Sequence, residues 1–304
     1  MLAILLSGGV APIVLERATR VIASDDVHHQ GLLDRGLMGG ATRVLPGLRA
    51  LIVQVWLARI DTALRRNDRA TALRYAREAL AIGPDLALGR IRVAERFAFS
   101  FAPNERGSAQ NVAWIEEAVA LLDEGIVRDS RDASLHHARG ILVWLRGLYV
   151  PEFAAAFRAA TGTTTLHSAT DSLVRAVELE RFDFEKLVAA SSLLCARAES
   201  FLDEAKTLED GLDAGRGERF ERLLSALSAA RRDFERAADY LATLEALAET
   251  PGDSLRNTLE LARTSAELIG WNEELARGHA VDSDRVARLR ARRIELRTRE
   301  QEAR

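Results

Sequence analysis

The side chains able to do chemistry in this 304-residue chain are 6 histidines, 1 cysteine and 45 acids. The histidines stand at His28-His29, His136-His137, His167 and His279. Zinc chelation from one helix needs a pair four apart, and helical neighbours point about a hundred degrees apart, so His136-His137 is not such a pair. His28 and His29 fall in a polar, glycine-rich stretch that reads as solvated loop. With Cys195 alone, an internal disulfide and a Cys-x-x-Cys motif are both excluded, and its helical apolar surroundings read as those of a buried, inert thiol. Carboxylate neighbours such as Glu116-Glu117 and Asp123-Glu124 lie in helical stretches, where solvated faces are the expectation. Phosphate chemistry has no signature: Ser7-Gly8-Gly9 and Leu37 to Gly40 match neither the Walker lysine motif nor G-x-G-x-x-G. The expectation is a protein that is not an enzyme, with no catalytic residue, no cofactor and no metal site. An active site assembled from distant residues is the enzymatic alternative.

Whatever these residues do, helices must position them. The chain is 48% hydrophobic with only 6 prolines, rich in Ala, Leu, Arg and Glu and poor in β-branched runs, which makes it all-α. A formal net charge of -3 gives no strong positive field, and of the 42 basic residues only Lys186 and Lys206 are lysines. No nucleic-acid partner is expected. Met1 to Leu15 is apolar but broken by Ser7, Gly8, Gly9 and Pro12, and it is shorter than the ~20 residues of a spanning helix. It also lacks the positive start of a signal peptide, so a buried or interfacial segment and a cytoplasmic protein are expected. Membrane association through Met1 to Leu15, at the inner membrane, is the alternative.

Three stretches fall on a 34-residue grid. With Pro84 closing the first unit, Trp56, Ala72, Ala79 and Leu80 take the anchor and contact positions of a helical hairpin. Counted from Ala87, the second unit places Val93, Ala94 and Phe97 at the packing positions of its first helix, and an insertion around Pro103 to Ala113 lengthens it. Counted from Ala133, the third places Gly140 at a close contact and Gly147 at a turn, and Tyr149-Val150-Pro151 breaks it. The hairpin of unit one reads as helices over Leu48 to Arg65 and Arg69 to Ile82, turning at Asn67-Asp68 and stopped by Gly83-Pro84-Asp85.

This pattern resembles the tetratricopeptide repeat over about residues 48–160. The resemblance implies a non-catalytic scaffold or adaptor whose concave groove holds protein partners. The residues it places toward the groove include Leu57, Leu64, Ile91, Phe99, Ile141 and Trp144. Such a lining is too apolar to clamp a terminal carboxylate. It suits a helix, either the chain's own or the amphipathic helix of a partner. A structural subunit of a larger bacterial complex, membrane-associated through the N-terminal segment, is the alternative.

Thr161 to Thr165, low in helix propensity, ends the repeat-like region. The organisation read from the sequence is a segment and loop over 1–47, a repeat domain over 48–165 and a helical hairpin or bundle over 166–304. In the last, Leu187, Ser191, Leu194, Ala198, Phe201, Ala205 and Leu208 alternate spacings of four and three, as do Phe220 through Leu244. The two helices fold back at Gly211 to Gly217 as a coiled-coil-like hairpin. A further helix carries Leu255, Leu259, Ala262, Ala266 and Ile269 on one face. The last, Asp282 to Arg304, starts with an Asp-Ser-Asp cap and reads as a solvated helix laced with Glu–Arg pairs.

Overall fold

A computed structural model describes residues 46–66, 68–82, 87–101, 109–209, 216–248 and 250–302. The segment Met1 to Leu15, the loop with His28 and His29, the Gly83-Pro84-Asp85 stop, positions 102–108 of the insertion and positions 210–215 of the hairpin turn lie outside the described residues. The described chain is all-α: eleven α-helices and one π-helical turn, with no strand among the described residues. It divides into two compact units, Met1–Arg96 and Phe97–Arg304.

The first unit holds α1 (Pro46–Arg65), α2 (Arg69–Ile82) and α3 (Ala87–Arg96). The α1–α2 turn works because Asp68 accepts the Thr71 N–H at 3.1 Å, and hydrogen bonding from the Thr71 side chain, then from its backbone, holds the Asp68 carboxyl below its ordinary pKa. Small residues on α2, namely Ala72, Ala76 and Ala79, are buried together with Leu57, Ile60 and Ala63 of α1. Trp56 meets Tyr75 at 5.3 Å between ring centroids, and the Arg59 guanidinium lies over Trp56. Arg96 of α3 grips Asp61 of α1 with two hydrogen bonds, at 2.5 and 3.1 Å.

The second unit begins with a π-helical turn, Phe97–Phe101, followed by α4 (Ala109–Arg128), α5 (Ala133–Tyr149), α6 (Pro151–Thr161) and α7 (Thr165–Leu179). It continues with α8 (Phe184–Glu209), α9 (Arg216–Leu247), α10 (Asp253–Ala276) and α11 (Ser283–Glu302). Helix starts follow from short polar side chains. Asp132 caps α5 through the Ser134 and Leu135 N–H groups, Thr164 caps α7 through His167, and Asp282 caps α11 through Arg285. Pro151 opens α6, and Gly162 closes it with φ of 74°, a left-handed residue that favours glycine. Thr161 to Thr165 is therefore a tight turn inside this unit, across which α5 and α7 pack.

Helix α5 reaches α7 closely because two glycines leave room. A Cβ on Gly140 would sit 2.7 Å from Cγ of Leu173, and one on Gly147 would sit 2.2 Å from Oγ1 of Thr165. Gly147 thus belongs to the α5 interior as a contact glycine, where the grid had assigned it to a turn. The heptad positions behave as a hairpin core. Leu187, Leu194, Ala198 and Ala205 of α8 and Leu223, Leu227, Ala230, Phe234, Ala237, Leu241 and Leu244 of α9 are all buried. On α10, Leu259, Ala262, Ala266 and Ile269 are buried, and α11 adds Val286 and Leu296.

Charged ties cross this packing. Arg139 of α5 binds Asp123 of α4 and the Ser168 and Ser172 hydroxyls of α7. Arg292 of α11 reaches Glu260 of α10 at 2.6 and 2.8 Å, and Arg293 reaches Glu199 of α8 at 2.8 Å. Much of the positive charge of the terminal helix is therefore matched by acids nearby.

Candidate partner-binding surface

Leu57 is only 5% exposed and is part of the first unit's core. Leu64 lies on α1, but its side chain is outside the described residues, and Ile91 is half-buried on α3. The other three belong to the second unit. Ile141 and Trp144 are half-buried on α5, while Phe99 is 38% exposed in the π turn. Within that unit the structure does not line Phe99 up with the other two. Phe99 stacks against Arg146, with the guanidinium carbon 4.3 Å from the ring centroid. Arg146 is two residues beyond Trp144, about 200° round the helix, so the two projections are nearly opposite.

What α5 does present is a stripe. Ile141, Trp144, Leu145 and Leu148 occur at i, i+3, i+4 and i+7; the first three are half-buried and Leu148 is 59% exposed. His137, one turn before Ile141, extends the stripe. Its Nε2 is buried without a hydrogen-bond partner, and burial pulls its pKa below the ordinary imidazole value. Ile141 and Trp144, which the repeat resemblance places toward a groove, share this face with Leu145 and Leu148, because these four spacings define one side of any helix.

The opposite side of α5 carries an arrangement that the sequence did not reveal. Arg146 is 9% exposed and donates from Nη2 to the Ala98 carbonyl of the π turn. Its Nε has no hydrogen-bond partner, and no carboxylate of a described residue pairs with it. Burial alone lowers its pKa. Behind the turn, Trp114 packs on Phe101 at 4.7 Å and on Phe97 at 5.4 Å, and its own Nε1 is buried without an acceptor. The only sequence signal for this cluster was one arginine inside the apolar run Ile141 to Val150.

A groove of about 560 Å³ runs between α9 and α10 toward Arg285 of α11. Ala238, Ala266 and Gly270 line it, while Arg231, Glu235, Glu267 and Arg285 on its walls are already paired with one another or with Glu273. Its charges are largely satisfied internally. Among the described residues, no three His, Cys, Asp or Glu side chains gather to hold a metal, and no helix is long and apolar enough to cross a membrane.

No family model matches the chain, and a search of curated proteins finds no match. Among solved structures, a candidate protein-binding protein from Bacteroides ovatus ATCC 8483 is similar over 71% of this chain and 99% of its own, at 15% identity. The TM-score is 0.31, too low to carry a fold assignment.

Proposed function

We propose that this protein is a non-catalytic interaction module that docks an amphipathic helix of a protein partner on the α5 stripe. The observation that carries this reading is the run Ile141, Trp144, Leu145 and Leu148. It forms a continuous apolar face on which Trp144 keeps part of its surface in solvent and Leu148 is 59% exposed. Helix-on-helix recognition uses this same spacing on both partners, and a central tryptophan is a favoured anchor. The resemblance to tetratricopeptide repeats supports the same role through the expected helical-hairpin architecture.

Site-specific photocrosslinking in the native host tests the reading. A photoreactive residue at Leu148 or Ile141 should capture one discrete protein, and the same residue at Arg175 on α7 should not. Trp144→Ala should remove the capture while leaving the thermal unfolding midpoint within a few degrees. Equal capture from all positions, or none, would overturn the docking assignment.

A further inference from the structure

We infer that the π turn and Arg146 form a carboxylate-binding site, with Arg146 as the ligand-binding residue and Phe99 as the ring that covers it. The site lies on the side of α5 away from the stripe and does not depend on it.

A guanidinium is charged at every physiological pH, and burying it without an anion is costly. Arg146 is buried, its Nη2 is held by a neutral carbonyl, and its Nε is unused. A carbonyl orients the fork without neutralising it. The second buried donor at the same turn, Trp114 Nε1, also lacks an acceptor. The unused Arg146 donor and its uncompensated positive charge lie against five residues of π helix, a geometry that recurs at functional sites because it displaces one residue from the helical register. Within this turn the aromatic Phe99 is partly in solvent: it is 38% exposed and Ser100 is exposed beside it, whereas Ala98 and Phe101 are buried. The guanidinium thus lies behind a ring that has one face in water.

The ligand chemistry follows from the donors. A planar fork with a free Nε–H matches a planar carboxylate better than a chloride, and a carboxylate supplies the missing charge. The carboxylate would come either from an acidic side chain of a bound peptide or from a free carboxylic acid.

Side-chain nitrogen NMR on the full chain reads Arg146 Nε–H and Trp114 Nε1–H directly, with Arg146→Met identifying the arginine signal. The probes are sodium acetate, the blocked tripeptide Ala-Glu-Ala and sodium chloride at equal ionic strength. Acetate and tripeptide should shift the Arg146 signal saturably, and chloride should not. A tighter tripeptide assigns the site to peptides, and a tighter acetate assigns it to free acids. Phe99→Ala should tighten binding by uncovering the fork. Arg146→Met should weaken binding roughly tenfold or more, the worth of one charge-assisted hydrogen bond, while the Trp114 signal keeps its unliganded position. No saturable shift in either the wild type or Phe99→Ala, or an equal shift with chloride, overturns the site.

Discussion

Arg146 and Arg197 are both largely buried arginines of the second unit, and they are treated in opposite ways. Arg197 of α8 has a side chain 12% exposed, and it binds Asp233 of α9 at 2.7 and 2.9 Å and Asp171 of α7 at 2.5 Å. Burial opposes its charge, but the two carboxylates outweigh burial and raise its pKa. Arg146 has burial without the carboxylates, and its pKa falls. One residue type at similar depth is thus a three-helix clasp in one place and an unmatched charge in the other. The difference marks Arg197 as structural and Arg146 as a group kept for something outside the fold.

The largest effect that could break this comparison is at Asp233, whose side chain is 11% exposed. Asp233→Ala strands the Arg197 charge with only the exposed Asp171, and denaturant unfolding should show a loss of about 3 kcal/mol. If Asp233→Ala cost no more than a surface mutation, the contrast between the arginines would collapse. Arg146→Met runs the other way. Removing an unmatched buried charge while filling its volume should raise stability by about 1 kcal/mol, even after the Ala98 hydrogen bond is lost.

A pH effect of intermediate size sharpens the first half. Burial, and then the positive charge of Arg197, hold the His167 pKa below 6.5. Above that value the imidazole is neutral whether folded or unfolded and contributes nothing. As pH falls below it, the unfolded chain takes the proton first, so stability declines toward acid. His167→Gln should flatten the unfolding midpoint against pH between about 6.5 and 5, and an unchanged slope would assign the decline to other groups. The smallest effect belongs to an exposed control. Arg175, 48% exposed and paired with Glu178 one turn on, should lose less than about 0.5 kcal/mol on replacement by alanine.

Helix placement was legible in the sequence because periodicity and caps are local. The α8–α9 core positions emerged from alternating spacings of four and three, and Asp282 was visible as the cap it is. The shared groove was less legible for a specific reason. A grid of fixed length assumes 3.6 residues per turn throughout, and the π turn at Phe97–Phe101 spends an extra residue. Phe99 is therefore out of phase with Ile141 and Trp144. The contact role of Gly147 was also hidden, because a glycine near a helix end resembles a stop until Thr165 is seen against it. Pairs such as Arg197–Asp233 join residues thirty-six apart in the chain, and no spacing rule selects them.

From α7 to α11 each helix of the second unit packs on the next one in the chain, while α5 packs chiefly on α7, one helix further on. Contacts of this kind close short loops, so the topology favours rapid folding by successive addition of hairpins. Within the run from α8, α11 is the least held. It packs on α10 less extensively than α10 packs on α9 or α9 on α8, and Arg293 and Arg297 clip it to Glu199 of α8. Amide exchange should therefore run fastest along α11 and slow progressively inward to the α8–α9 hairpin, a gradient of opening energies along the chain.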